Sequence, residues 1–440
     1  MPDQTSFLNK PIFFLLCLTL VFTTLAYGGV HQPVLAVFYI FVSAIVIMFL
    51  ADALGLKKIA FDGSLIQVPI FLAALYGFVQ IVPFGNYLGP AGIDAIPRTI
   101  SVDPFSTQVN AFHFLALALF FSVFLSSFNS TARIQTAAYV IVAFGFLFAF
   151  YAILQSVLSP GKIYGIYSNT AAAPFGSFIN RNNFAAFMEM SVCLPLGMLY
   201  AGAVGRDKRL IYITAISLMG ISLLLSGSRG GFVGMLTGVI LIVLTAENSG
   251  GKRHLVLRVA LVAALLIVLV GGAIFVGGEG SLVHFTEFGQ DETDPTPTRL
   301  YMWGITLKII AANMPFGAGL GAFGVAFTQF DTNGGIFRVE QAHNDYLQIA
   351  ADAGIPGILI GGWFLFLLIR TGLRSIIVKN SFRRGVAIGS FAACCAMIVH
   401  SLFDFVLHTT AVSLLFLMLT GLVTASSRSY PDDSKRNVDP

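Results

Sequence analysis

Four short stretches carry side chains able to do chemistry in a chain that has few of them. AHNDYLQIAADAGIPG, residues 342–357, sets His343, Asn344 and Asp345 directly in front of a long apolar run. SGSRGG, residues 226–231, places Arg229 among serines and glycines, and SFINRNNFAAF, residues 177–187, gathers Asn180, Arg181, Asn182 and Asn183. TPTRLYMWGITLKIIAANMP, residues 296–315, carries Arg299 near its start. An imidazole can accept or release a proton near neutral pH, a guanidinium matches the geometry of a phosphate, and side-chain amides suit sugar hydroxyls or phosphate oxygens. Each also has a plainer reading: a histidine can be a polar anchor, and an arginine near a membrane can snorkel or pair with a carboxylate.

The setting is a membrane. Of 440 residues 56% are hydrophobic and 10% charged, mean hydropathy is +0.84, and Phe alone occurs 42 times. An average soluble domain carries about a quarter charged residues. Apolar runs of spanning length number about twelve: 11–28, 34–51, 65–83, 108–126, 134–157, 184–204, 210–226, 231–246, 258–277, 355–371, 385–402 and 407–425. The expected fold is therefore an all-α polytopic membrane protein with about 12 transmembrane helices and one long periplasmic loop containing short helices. The first run lacks an A-x-A cleavage site and is expected to stay as an anchor.

An even number of spans puts both termini on one side. If that side is cytoplasmic, only Arg98, Lys162, Arg181, Arg229, Arg299, Lys308 and Arg338 lie outside, out of 25 lysines and arginines. The positive-inside bias supports this orientation and makes the outer arginines conspicuous. The net charge of +4 reflects inner loops, not a nucleic-acid surface. Cys17, Cys193, Cys394 and Cys395 fall inside expected spans, so neither a disulfide nor a zinc site is implied. The organisation expected is residues 1–176 as N-terminal helices, 177–425 as a membrane domain and 426–440 as a cytoplasmic tail. Longer outer segments cover 84–107, 158–183 and, in the membrane domain, 278–354.

The elements that must position the polar groups are legible in part. Thr296 and Pro297 suit a helix start, with Leu300, Trp303, Leu307 and Ile310 on one face until Pro315. Arg299 then sits in the first turn, where a helix N-terminus favours anions. It could instead pair with the acidic run EFGQDETD just upstream. FGAGLGAFG, residues 316–324, has no Lys-Ser/Thr and reads as tight turns. Gln341 to Ala353 reads as a helix carrying His343, Leu347 and Ala350 on one face, with Gly354 at C′ and Pro356 beyond. Glu340 or Asp345 would then fix the His343 tautomer. In SGSRGG the serines, Ser228 among them, can hydrogen-bond while the glycines admit close backbone approach. Glu189 follows two turns into the sixth span. HSLFDFVLH spaces His400, Asp404 and His408 at i, i+4 and i+8, as metal ligands or as a polar lock between helices; no metal site is expected.

Taken in order, SGSRGG, the TRLYMW run with its following prolines and glycines, and AHNDYLQIAADAGIPG resemble the O-antigen ligase and polymerase superfamily of bacterial inner-membrane glycosyltransferases. The resemblance runs from about Ser177 to the last span, while the first five spans resemble that family only in hydropathy. It implies an integral-membrane glycosyltransferase-like protein with no cofactor or metal. The expected donor is a glycan on undecaprenyl diphosphate, used at the periplasmic face. Its paired arginines match Arg229 and Arg299 and its loop histidine matches His343, which become the expected catalytic residues. Asn180, Arg181, Asn183, Ser228, Glu340, Asn344 and Asp345 are the expected substrate-binding set. The acceptor would be the lipid A core for a ligase, a glycan for a polymerase, or a protein. Twelve spans also occur in transporters and flippases, but those place ionisable groups near the midplane, often in repeated halves. Here the polar groups gather at one face, Glu189 and the His400 to His408 face excepted. One feature opposes a diphosphate: residues 278–354 hold Arg299, Lys308 and Arg338 against nine acids. That excess repels an anion unless the arginines are locally focused.

Overall fold

The computed structural model describes residues 8–59, 61–87, 96–168, 173–245, 299–428 and 430, with four isolated positions between 256 and 267. Helices dominate: α1 (Asn9–Leu25), α2 (Gln32–Leu56), α3 (Val68–Gln80), α4 (Pro104–Ser126), α5 (Thr131–Leu158), α6 (Arg181–Tyr200), α7 (Arg209–Leu225) and α8 (Arg229–Leu244). After the undescribed stretch come α9 (Arg299–Asn313), α10 (Phe323–Thr328), α11 (Asp345–Ser375), α12 (Ser381–His400) and α13 (Thr410–Ser426). Seven of the described helices are long and apolar enough to cross a membrane, and α1, α3 with the 3-10 turn before it, α8 and α13 are shorter apolar helices. Each expected span meets one of these helices except the ninth, 258–277, which lies outside the described residues apart from isolated positions. Two short antiparallel ribbons that the sequence did not announce lie in the segments 84–107 and 158–183: β1 (Asn86–Tyr87) with β2 (Ile96–Pro97), and β3 (Lys162–Ile163) with β4 (Tyr167–Ser168).

The bundle is organised around α6, which is buried from Asn183 to Met198. A helix apolar on every side must be enclosed by other helices, and α5, α7, α8, α12 and α13 enclose this one. Inside a membrane, helices associate through close van der Waals packing, so small residues decide where backbones meet. Gly385 and Gly389 of α12 press on α6: a Cβ at Gly389 would stand 2.5 Å from the Leu194 carbonyl oxygen. On α8, Gly230, Gly234 and Gly238 are spaced four apart and admit His400, Glu189 and Cys193 respectively. These contacts bring the N-termini of α6 and α8 and the C-terminus of α12 to the same end of the bundle.

The segment from α9 to α11 folds over that end. Its own small core joins Met302, Ile305 and Ile309 of α9 to Phe323, Phe327, Ala342 and Ala351. This corrects the expected apolar face, because Leu300 is 77% and Leu307 57% exposed. Two stripes of α9 are apolar, and the partner surface on α10 and α11 selects the one through Ile305. The glycine-rich stretch does form turns, with positive φ at Gly317, Gly319 and Gly321. Buried Gln80 of α3 clamps it: its amide nitrogen donates to the carbonyls of Phe316 and Asp352, and its oxygen accepts from Leu320 N at 3.0 Å. Gly354 breaks α11 at the position expected, but at φ 57° and ψ −146°, a region essentially reserved for glycine, rather than in the αL conformation of a C′ cap, and Pro356 follows in the continuation.

The packing makes one prediction. Gly389→Leu drives a branched side chain into the α6 backbone, where no rotamer can clear the Leu194 carbonyl, and overpacking of this kind costs about 1–3 kcal/mol or more. The variant should lose several degrees of thermal stability in detergent, measured by unfolding of the purified protein, whereas Gly361→Leu, with open space at its Cβ, should not.

Candidate active site

His343 does not lie on a helix. The expected helix from Gln341 starts instead at Asp345, because Asn344 is its N-cap and its side-chain oxygen accepts from Tyr346 N and Leu347 N, both at 3.0 Å. The first amides of a helix need acceptors, and an Asn side chain supplies one from a non-helical backbone. His343, immediately before, takes a left-handed conformation (φ 50°), uncommon for a residue with a side chain this large. The turn aims its ring at the chain between α12 and α13, where its edge meets Phe405 with 4.7 Å between centroids.

The acid that holds this ring is Asp404, 3.0 Å from His343 Nδ1, and not Glu340 or Asp345. Glu340 pairs with Arg338, while Asp345 lies 3.1 Å from His408 Nδ1. Nor do His400, Asp404 and His408 share a helical face. α12 ends at His400 and the chain turns through 401–405 before a 3-10 turn at Val406–His408, so the three side chains diverge to three partners. His400 Nδ1 meets Glu189 Oε2 at 3.0 Å with both side chains fully buried, a lock between α12 and α6.

Asp404 is 1% exposed. One carboxylate oxygen faces His343 and accepts from Phe405 N at 2.9 Å; the other accepts from Asn182 Nδ2 and from Arg299 Nη2, the latter at 3.4 Å. Burial alone would raise this carboxyl's pKa, but the His343 hydrogen bond and charge, the Arg299 charge and the Phe405 amide outweigh it and hold it below the usual carboxylate value. Asp404 therefore remains an anion and an acceptor at neutral pH. The expected pairing of Arg299 with the acidic run 287–294 concerns residues outside those described; Thr296 and Pro297 lie outside them too.

Two of the cations stand at helix starts, and the third opens the described part of α9. Arg181 is the first residue of α6, capped by Asn180, whose side chain accepts from Asn182 N. Arg229 is the first residue of α8, capped by Ser228, whose hydroxyl accepts from Gly231 N. Arg299 is the first described residue of α9. The like charges of Arg229 and Arg299 both act on Arg181. Arg299 thus touches Asp404, and Arg181 stands in the field of both Arg299 and Arg229, a grouping of like charge that a polyanion would relieve.

The structure thus joins His343 and Arg299 through Asp404 and sets Arg181 in the field of Arg299 and Arg229. Asn180 and Ser228 stand beside them as caps, and Asn182, expected only as part of the asparagine cluster, reaches Asp404. Asn344 has both ends of its amide engaged, the nitrogen donating to Leu402 O at 2.9 Å. Asn183 is buried, and its side-chain oxygen has no partner among the described residues. Sequence reasoning missed Asp404 as the hub by reading it on a continuous helix; the turn residues HSLFD gave little sign of the break.

Residues 214–361 match the family model described as O-Antigen ligase. The match runs from α7 through the first half of α11 and so contains Arg229, Arg299 and His343; Arg181 and Asp404 lie on either side of it. No curated protein matches the chain.

Because the Asp404 pKa is depressed on folding, the carboxylate contributes stability that is complete above its unfolded value of about 3.9 and is lost as pH falls through the lower folded value. Asp404→Asn should therefore melt below the wild type at pH 7, and the two melting temperatures should approach each other below about pH 4. Thermal unfolding of both proteins across pH 3–7 measures the gap; a gap that stays constant into acid would contradict an ionised Asp404.

Proposed function

From a chain whose residues 214–361 are of the O-antigen ligase family, we propose a membrane glycosyltransferase that moves a glycan from undecaprenyl diphosphate to an acceptor hydroxyl. The observation that carries this reading is the network in which Asp404 meets both the His343 ring and Arg299, with Arg181 in the field of Arg299 and Arg229. A glycosyl diphosphate reacts by attack of the acceptor oxygen on the anomeric carbon, with the bond from that carbon to the diphosphate oxygen breaking and its electron pair leaving with the diphosphate. Three guanidiniums and helix N-termini suit the negative charge that grows on the leaving oxygen. Asp404, accepting from Nδ1–H, leaves Nε2 as the basic nitrogen, placed to take the acceptor's proton. Asp404 acts here through His343 and is a positioning residue.

In this reading the polar end of the bundle faces the periplasm across a bacterial inner membrane, both termini are cytoplasmic, and the lipid tail lies among the spans. Ligation to the lipid A core is the first assignment. Polymerisation of glycan repeats uses the same chemistry with a lipid-linked glycan as acceptor, and protein glycosylation uses it with a protein hydroxyl.

Purified protein, supplied with undecaprenyl-diphosphate glycan and either lipid A core or no added acceptor, separates these uses. Transfer to the core identifies a ligase and elongation of the lipid-linked glycan a polymerase. His343→Ala and Arg299→Ala should each lower the rate about a hundredfold or more. Asp404→Asn should lower kcat with little change in KM. Undiminished transfer by His343→Ala at normal protein level would sink the role given to the imidazole, and movement of lipid-linked glycan across the bilayer without a new glycosidic bond would favour a flippase.

A further inference from the structure

Beside the arginine cluster, at the same end of the bundle, a group of aromatic rings has no part in the chemistry above. Tyr27 and His31 lie in the turn between α1 and α2; Tyr164 and Tyr167 lie on the β3–β4 ribbon that follows α5. The Tyr27 ring meets His31 at 5.2 Å, Tyr167 at 5.3 Å and Tyr164 at 5.9 Å between centroids, each pair tilted toward edge-to-face. His31 also meets Tyr167 at 6.1 Å, and Tyr164 meets Tyr151 of α5 at 5.7 Å. Tyr164 is 40% exposed, and Tyr27, His31 and Tyr167 are partly exposed.

Tyrosines at a membrane boundary commonly serve as anchors, but three features go beyond anchoring. First, Tyr27 and Tyr164 both hold left-handed backbones, each with φ 56°, a conformation that is an outlier for bulky side chains and is kept only where surrounding structure enforces it. Second, the chain contains 42 Phe and 13 Tyr, yet this cluster is built of Tyr and His alone. Rings with polar tips stand where Phe is the common choice, and of these tips the Tyr164 hydroxyl donates to the Leu25 carbonyl, which leaves those of Tyr27, His31 and Tyr167 to meet a ligand. Third, the cluster shares its supports with the reaction site. Gln155 accepts from Tyr164 N at 3.0 Å and donates to Gly176 O at 2.6 Å, joining the ribbon to the segment that leads to Asn180 and Arg181. Gly28 lies against the Phe178 ring, and Gly29 O accepts from Thr410 Oγ1 at 2.7 Å, six residues beyond Asp404.

The geometry points to a saccharide-binding subsite formed by Tyr27, His31, Tyr164 and Tyr167, which holds sugar units of the substrate glycan away from the reacting bond. A pyranose offers apolar C–H faces to an aromatic ring and hydroxyls to phenol and imidazole tips, so amphipathic rings suit it better than purely apolar ones. The inference rests on the glycosyl-transfer reading for the identity of its ligand, while the geometry of the rings stands apart from it.

Its test uses Tyr167→Ala with His31→Ala in the full-length protein, Tyr167→Phe as the variant that keeps the ring, and two readouts. The first is binding of free saccharide, released by mild acid from the source cells' own lipid-linked glycan, followed by saturation-transfer NMR on protein in detergent. The double variant should bind about two- to tenfold more weakly and Tyr167→Phe nearly as well as wild type. The second is transfer with a long-glycan donor and short acceptor, and with a one-repeat donor and long acceptor. A loss confined to one arm shows which glycan occupies the subsite. Unchanged saccharide binding, or equal losses with short and long substrates, would overturn the subsite and leave the rings as membrane anchors. Absence of transfer by wild type, together with ring-dependent saccharide binding, would reject the transfer reading and keep the subsite.

Discussion

The polar end of this bundle depends on the burial of one carboxylate. Removing Asp404 from water is costly unless every lone pair it exposes is met by a donor. The donors come from α6 through Asn182, from α9 through Arg299, from the turn before α11 through His343, and from the neighbouring amide of Phe405. Segments more than two hundred residues apart are thereby tied to one atom pair. The same contacts orient the imidazole, so the demand for satisfied charge and the demand for a directed base are met by a single arrangement.

A second buried pair supports the first from below. Glu189 and His400 face each other inside the bundle, and a Cβ at Gly230 would come within 2.7 Å of the His400 ring. The absence of side chains at Gly230 and Gly234 lets α8 approach both groups. That approach sets the height of Arg229, at the start of α8, relative to Arg181, at the start of α6. Glu189 Oε1 and His400 Nε2 have no hydrogen-bond partner among the described residues, so this pair keeps polar capacity that its immediate packing does not use. Intramembrane ionisable groups of this kind favour interior faces and one another.

Much of this was legible in the sequence because membrane burial is a composition signal and glycines and caps are local ones. The apolar helices at the described runs, the break at Gly354 and the turns at Gly317 to Gly321 follow from such signals, whereas the grouping of Arg229, Arg299 and His343 came from the family resemblance. What was not legible depended on choices between local structures of similar merit. Asn344 could cap a helix or sit inside one, and the cap placed His343 in a turn. HSLFDFVLH fits a helical face by spacing, but the chain turns after His400 and sends Asp404 to His343. α9 has two apolar stripes, and only the surface it meets selects Ile305 over Leu307. The tyrosine cluster joins two turns more than a hundred residues apart, a relation no local pattern encodes.

The acidic excess of the segment 278–354 is resolved, for its described residues, by where each acid is engaged. Asp331 accepts from Tyr301 and from the amides of Asn333 and Gly335 within its own turn. Glu340 is held by Arg338, Asp345 by His408, and Asp352 accepts from Gly321 N and Gln348. Among the described residues the acid on Arg299 is Asp404, which lies outside the segment. Charges separated by more than a Debye length, about 8 Å at physiological ionic strength, are largely screened from one another. What an approaching anion meets is therefore set by the nearest groups rather than by the sum over the segment. Among the described residues the acid that meets the His343 ring is Asp404, itself met by Arg299 and Asn182, so the four described acids of the segment are engaged away from that network.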